Sequence, residues 1–414
     1  MAHPTDMFWR ISDLAVTGGG CSSWRGPCNA GGVHEELLER RSDYPILARS
    51  TYLINNSLGA MHRDTKARLQ DYAELWDSLG VVAWDTWFPE MTRVADLVGA
   101  AIGAPPGSTV LRQSVADAIT TLASCFDLGG ARNRVVTTAA DWPGTHYFWT
   151  EQLQRAGGEL VVVPFDGDGL TVSTDRLVDA IDDRTVLVSV SLVQFRTSAL
   201  LDLAPVVAAA HRHGALVLLD AYQAVGAVPV DVVDNDVDMC VGGSVKFLCG
   251  GPGNGWLYVR PDLAETLRPA AVGWISHDRP FAFEWDAIDY APGVKRFSGG
   301  TPNVPAAYAA APGYQAVVDV GIERIRERLM ALTQPLVEGA LERGFTVRSP
   351  HDAKRRGGHV TIDPGDAERV HHELIARKFV VDFRPGSGIR VAPHFYNTAE
   401  ECTAVLDEMA RLRG

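Results

Sequence analysis

Apolar residues along this chain gather into short runs separated by helical stripes. Most of the runs at 109–111, 134–138, 160–163, 185–190, 216–219 and 239–241 are rich in Val and Leu, the composition of strands covered on both faces. Helical stretches lie between them, at 116–126, 149–156, 174–181 and 205–213. Strand–helix alternation at this spacing predicts a parallel sheet flanked by helices. A run at 256–259 reads as a seventh strand, returning after a Gly/Pro turn.

Upstream, the pattern predicts a helix over 64–79, with Leu69, Tyr72, Ala73 and Trp76 on one face, and a second over 90–102. Gly103 and Pro105 close the second helix. The character changes after Thr301. A long helical region at 304–343 precedes strand-like runs at 345–348, 359–362, 380–383 and 389–391 and a last amphipathic helix at 399–412. The expected organisation is an arm over residues 1–51, a large domain over 52–300 and a small α+β domain over 301–414.

Composition narrows the function classes. With 414 residues, 46% hydrophobic and 21% charged, the chain has the makeup of a globular protein with a sizeable core. A formal net charge of −13 argues against nucleic acid and against anionic lipid surfaces, both of which call for a basic footprint. It leaves room for an anionic small substrate, which needs only a few local cations. The six cysteines, Cys21, Cys28, Cys125, Cys240, Cys249 and Cys402, form no CxxC pair, so a zinc ribbon is not expected and reduced thiols are. The first residues lack the apolar centre of a signal peptide, and no run of 18 apolar residues occurs. The expected setting is cytoplasmic, without membrane or nucleic-acid partners.

Two segments carry the chemistry. In Leu216-Val-Leu-Leu-Asp220-Ala-Tyr-Gln223 an apolar strand runs directly into an acid. In Val241-Gly-Gly-Ser-Val-Lys246-Phe-Leu-Cys-Gly-Gly-Pro-Gly253 a lysine follows a strand and precedes a glycine-rich turn. The two are 26 positions apart, enough for one excursion back to the same sheet edge. Pyridoxal 5'-phosphate (PLP) needs these residue types. Its aldehyde takes the amine of a lysine as a Schiff base, and its ring nitrogen needs a carboxylate so that the ring can accept electrons. Each residue alone has an ordinary reading: Asp220 as a turn or helix cap, Lys246 as a solvated charge. Together, in order and at strand ends, they are specific.

Further segments extend the pattern: Tyr52-Leu-Ile-Asn-Asn-Ser-Leu-Gly59, Asp141-Trp-Pro143, Phe195-Arg-Thr197, Gly273-Trp274, Gly300-Thr-Pro302 and Gly388-Ile-Arg-Val-Ala-Pro-His394. With these in chain order, the sequence from about Tyr52 onward resembles the class V aminotransferase superfamily, and within it most closely kynureninase. The resemblance implies PLP fold type I, a mostly parallel seven-stranded α/β sheet with a smaller α+β C-terminal domain. It implies catalytic roles for Lys246 and Asp220, and cofactor contacts from Gln113, Ser114, Val115, Trp142, Gln223, Trp274 and Thr301. Ser114 would open a helix whose free N–H groups suit the phosphate, and Trp142 would stack on the ring. Arg390 would hold the substrate α-carboxylate with its planar fork, with Asn56 and Ser57 nearby. Thr301 would come from the partner subunit, which makes the expected assembly a homodimer with shared sites.

Three positions depart from kynureninase. Val245 stands where that family has a tyrosine, Gln223 where it has a histidine, and Thr145 where it has an acid. Valine transfers no proton, so the later steps of kynurenine hydrolysis lack their residues. A cysteine desulfurase would need a nucleophilic thiol on a mobile loop, and 349–358 contains no cysteine. The leading expectation is a PLP lyase or hydrolase acting on an α-amino acid at or beyond Cβ, breaking C–C or C–S. The alternatives are a transaminase, epimerase or decarboxylating deaminase, and a non-catalytic PLP-binding protein. Arg196, His277, Phe281, Trp84 and Trp87 are further candidates for the pocket.

Overall fold

The computed structural model describes residues 32–413. β1 (Thr51–Tyr52) leads into α1 (Thr65–Leu79) and α2 (Trp84–Ala101). Then follow β2 (Thr109–Arg112), α3 (Val115–Ala123), β3 (Arg134–Thr138), α4 (Pro143–Ala156), β4 (Glu159–Val163), α5 (Thr174–Asp179) and β5 (Thr185–Ser191). After these come α6 (Leu203–Arg212), β6 (Leu216–Asp220), β7 (Met239–Gly243) and β8 (Gly255–Val259). β2 to β8 form one seven-stranded sheet in the order β2-β8-β7-β6-β5-β3-β4. Only β8 runs against the others.

The pleat explains why Val/Leu runs without alternation become these strands. Successive side chains point to opposite faces. Val136, Val188, Val217 and Leu219 join the core on one face, and Val135, Leu187 and Leu218 join the core on the other. Both faces are covered, so both need apolar residues. The register aligns Ser191 with Asp220 and Asp220 with Val241. The carboxyl ends of β5, β6 and β7 therefore open on one edge, where open α/β sheets bind ligands.

The remainder comprises α7 (Pro261–Thr266), α8 (Val304–Val320), α9 (Ile322–Glu342), β9 (Thr346–Val347), β10 (Val360–Asp363), α10 (Ala367–Ala376), β11 (Phe379–Val380), β12 (Asp382–Arg384), β13 (Gly388–Val391) and α11 (Ala399–Arg413). An antiparallel sheet of order β12-β13-β10-β9 packs its apolar face on α9, α10 and α11.

α2 and α4 each begin six residues earlier than the pattern predicts, and three further details differ from the sequence expectation. The helical region at 304–343 is two helices, divided at Gly321, whose φ of 86° lies outside helical space. The run at 380–383 serves two partners. Phe379–Val380 pairs in parallel with β1, while Asp382–Arg384 pairs antiparallel with β13. β1 and Leu53, near the start of the described chain, thus pack with the C-terminal sheet. Finally, the apolar stripe of α1 does not face this chain's core, since Leu69, Ala73 and Trp76 are exposed. The Gly/Ser/Cys-rich stretch of the expected arm, with Cys21 and Cys28, lies outside the described residues. Among the described residues, no helix is long and apolar enough to cross a membrane.

Candidate active site

A cavity of about 350 Å³ opens at the carboxyl edge of the large sheet, and Lys246, Asp220, Trp142, Gln223, Arg390, Asn56, Ser57, Val115 and Thr145 all line it. Residues more than 300 positions apart in sequence are brought together. Asp220 is the last residue of β6, and its Oδ1 accepts the Tyr222 amide at 2.8 Å. Lys246 follows β7 and is backed by the loop at 55–59. The Gly59 amide donates to the Val245 carbonyl at 2.6 Å, and a Cβ at Gly59 would overlap the Lys246 carbonyl oxygen. Glycine is therefore required at 59 by close approach.

Burial dominates the electrostatics. Removal from water raises the Asp220 carboxyl above its usual range, with the Tyr222 amide and Lys246 opposing and Asp141 adding to the rise. Removal from water lowers the Lys246 amine; Asp220 opposes, and Arg390 and Arg384 reinforce. Both effects favour the neutral form, as expected for charges in a low-dielectric site. An amine with a lowered pKa is the nucleophile that imine chemistry requires.

Arg390 is almost fully buried. Its Nη1 donates to the Phe195 carbonyl at 2.7 Å and its Nη2 pairs with Asp382 Oδ2. Asp382 also accepts from Arg384 Nη1 at 2.9 Å. Arg390 and Arg384, both lining the cavity, thus share one carboxylate and leave a net positive charge in the wall. Nε of each arginine is buried without a partner, which suits an incoming carboxylate.

At the start of α3, Ser114 caps the helix, its Oγ accepting the Asp117 amide at 3.2 Å. The Gln113 amide is engaged by Asp117 Oδ2 at 3.2 Å, so the first turn of α3, where Val115 and Ala116 line the cavity, is what faces the opening. Trp142 precedes α4, is 47% exposed, and stands edge-on to Phe195 at 5.0 Å between centroids. Half exposure leaves a ring face free to cover a planar guest. The Asn56 side-chain amide and Gln223 Oε1 are buried without hydrogen-bond partners. Buried orphan polar atoms are rare, and these mark a cavity built for a polar occupant. Amine, carboxylate, helix N-terminus, aromatic cover and orphan amides together fit PLP.

Trp274 and Thr301 are not among the lining residues. They bond each other instead, Trp274 Nε1 to Thr301 Oγ1 at 3.3 Å. His277, Phe281, Trp84, Trp87 and Arg196 also lie outside the lining. His277 Nδ1 accepts the Arg279 amide at 2.9 Å, Trp84 and Trp87 pack against each other, and Arg196 lies over the Phe195 ring. Sequence reasoning assigned no role to Tyr222, Arg384, Asp382, Phe195 or Phe148. Arg384 offered a signal as a second arginine six residues before Arg390, and Phe195 as part of the Phe195-Arg-Thr197 segment.

Comparison with known proteins identifies the family. The family model "Aminotransferase class-V" matches residues 86–404. An uncharacterized aminotransferase, YcbU, of Bacillus subtilis (strain 168) is 31% identical over 379 residues, covering 91% of this chain and 98% of its own. A kynureninase of Bacillus cereus is 28% identical over 383 residues, covering 89% of each. Among solved structures, the apo cysteine desulfurase of Thermococcus onnurineus NA1 superposes with a TM-score of 0.80 at 20% identity, covering 95% of this chain and 99% of that one. The cystine C-S lyase C-DES in complex with its product cysteine persulfide gives 0.80 at 20% identity, covering 89% and 99%. These structural matches speak for the fold; the family match spans most of the sequence, and the chain belongs to the class V aminotransferase family of PLP-dependent enzymes.

Proposed function

We propose that this enzyme is a lyase or hydrolase of an α-amino acid, acting through proton removal at Cα and cleavage of a bond at or beyond Cβ. The convergence of Lys246, Asp220 and Arg390 on one cavity carries this reading. PLP, when bound, supplies an electron sink for the pair left at Cα. Lys246 would hold the cofactor and, once released, take the α-proton on Nζ. Asp220 would keep the ring nitrogen charged, and Arg390 would orient the substrate through its carboxylate. The phosphate would lie at the start of α3, held from the first turn that begins at Val115, with Gln113 and Ser114 just outside the cavity lining and Ser114 capping that turn. Trp142 would cover the ring, Gln223 would reach the phenolic oxygen, and Asn56 and Ser57 would close the substrate side. Trp274 and Thr301 would contact the phosphate, Thr301 across the interface of a homodimer, in keeping with its position outside this chain's own cavity lining. The large domain at 52–300 and small domain at 301–414 would meet around the site, in a cytoplasmic setting.

Thr145 lines the cavity where kynureninase has an acid, which favours a C–S bond, or no cleavage, over hydrolysis of kynurenine. Among the described cysteines, Cys240, Cys249 and Cys402 are buried, Cys125 is partly buried, and none lines the cavity; this disfavours a thiol-relay desulfurase. A transaminase, epimerase or decarboxylating deaminase is the second reading, supported by Gln223 lining the cavity where kynureninase has a histidine. The test is incubation of holoenzyme with kynurenine, S-substituted cysteines and a panel of other amino acids, with products identified by mass. Anthranilate, pyruvate or thiol would support the first reading. Conversion to pyridoxamine phosphate without those products would replace it with the second.

A further inference from the structure

Tyr222 lines the cavity between the two residues that would flank the cofactor, Asp220 and Gln223. Its ring presents a face, not its hydroxyl, to the reactive lysine: Lys246 Nζ stands 4.1 Å from the ring centroid. A hydroxyl lies in the plane of its ring, so an amine above the face meets the π cloud. Burial, reinforced by Asp220, pushes the Tyr222 phenol up to about 12. The ring is therefore neutral at ordinary pH and keeps its negative face.

The fold makes room for this ring. Gly243, the last residue of β7, lies directly against it, and a Cβ there would sit 2.5 Å from the Tyr222 hydroxyl oxygen and still closer to Cζ. Gly243 has no positive φ to explain it, so close approach of the ring is the physical reason for glycine. Tyrosine at 222 and glycine at 243 form one packing unit beneath Lys246.

From this geometry we propose that Tyr222 is a positioning residue for Lys246, its ring face forming the seat on which the free ε-ammonium rests and so setting the pH at which the amine becomes available to PLP. The proposal rests on the cofactor role of Lys246 proposed above. The other groups that act on this amine are Asp220 at the end of β6, Asp382 and Arg384 on β12, and Arg390 on β13. His359, before β10, is held neutral by burial. Asp220 and Asp382 favour the charged amine, and the two arginines disfavour it. The aromatic face adds to the stabilising side. Removing it lowers the pKa of the amine and leaves more free base at acidic pH.

The test uses the full-length protein, stripped of cofactor with hydroxylamine and reloaded with PLP in a stopped-flow instrument. Schiff-base absorbance is followed across about pH 5.5 to 9. Borohydride reduction and peptide mapping are run on each sample. Tyr222→Phe keeps the ring and is expected to retain the wild-type midpoint. Tyr222→Leu is expected to shift the midpoint down by about 0.5–1 unit, with loading about three- to tenfold faster at the acidic end. Gly243→Ala, which displaces the ring while keeping tyrosine, is expected to shift it the same way and carries the test if Tyr222→Leu does not fold. Superimposable profiles for wild type and Tyr222→Leu, with the label on Lys246, would overturn the seat and leave the cofactor assignment standing. Equal shifts in Tyr222→Phe and Tyr222→Leu would overturn it in favour of the hydroxyl. A label on another lysine would remove the cofactor assignment itself.

Discussion

Replacing Asp382 with asparagine probes the substrate end of the site most directly. The carboxylate is 7% exposed and Arg390 is 1% exposed. Asp382 pairs with Arg390 through Oδ2 and with Arg384 through Oδ1. Asparagine retains the shape but leaves the Arg390 charge buried against neutral groups. Breaking a buried pair by removing one partner costs about 3–5 kcal/mol. Arg384, about one-third exposed, adds at most about 1 kcal/mol because water screens it. Arg390→Gln alone leaves the Asp382 carboxylate with Arg384 as its remaining partner and is expected to cost less, about 1–3 kcal/mol. The double variant strands neither charge, so its loss should fall short of the sum by about 2 kcal/mol or more. Urea unfolding of the four proteins, followed by far-UV circular dichroism, measures this cycle. Additivity within about 0.5 kcal/mol would show that the pair is not coupled and would refute the shared-carboxylate account. The two variants that lack Arg390 should lose binding of carboxylate-bearing ligands more than of decarboxylated amines, read from spectral titration of the holoenzyme.

Lys246→Ala should abolish borohydride-stable labelling by PLP, as peptide mapping would show. Asp220→Asn should slow exchange of the substrate α-proton by about 10²-fold or more, measured by proton NMR in deuterium oxide, while PLP remains bound. Gly59→Ala drives a methyl into the Lys246 carbonyl oxygen and to 2.8 Å from Cys249 Sγ; a loss of about 1–3 kcal/mol and weaker PLP retention are expected, read by thermal unfolding and dialysis. His394, fully buried with Nε2 at 2.8 Å from the Phe247 carbonyl, is lowered to about 4 by burial. The unfolded chain then binds the extra proton first, so this group's contribution is whole above about pH 6.5 and is lost as pH falls toward 4, by about 3 kcal/mol in total. A urea midpoint that falls across that window in wild type, and falls less in His394→Gln, is the expected result.

Much of this molecule is written locally. Val/Leu runs of strand length, separated by helical stripes, specify a buried parallel sheet because both faces of each strand must be apolar, and this holds without knowledge of which strands are neighbours. Asp220 and Lys246 were legible because strand ends carry ligand chemistry and each follows an apolar run directly. Family likeness, resting on short motifs in order, extended the reading to Trp142, Gln223 and Arg390.

Other features depend on residues distant in sequence and could be decided only by packing. Nothing near 382 says that its carboxylate joins Arg384 to Arg390, since that follows from the antiparallel register of β12 with β13. Tyr222 reads as an ordinary aromatic until Gly243 is seen beneath it and Lys246 above its face. The splitting of 379–384 between two sheets, and the pairing of β1 with a strand more than 300 residues later, depend on which backbone edges lie side by side in the folded chain. Sequence determined the elements and the reactive groups they carry, because those follow from neighbours a few residues away. The tertiary structure decided which charges compensate one another, because Coulomb energy and burial depend on distance through space.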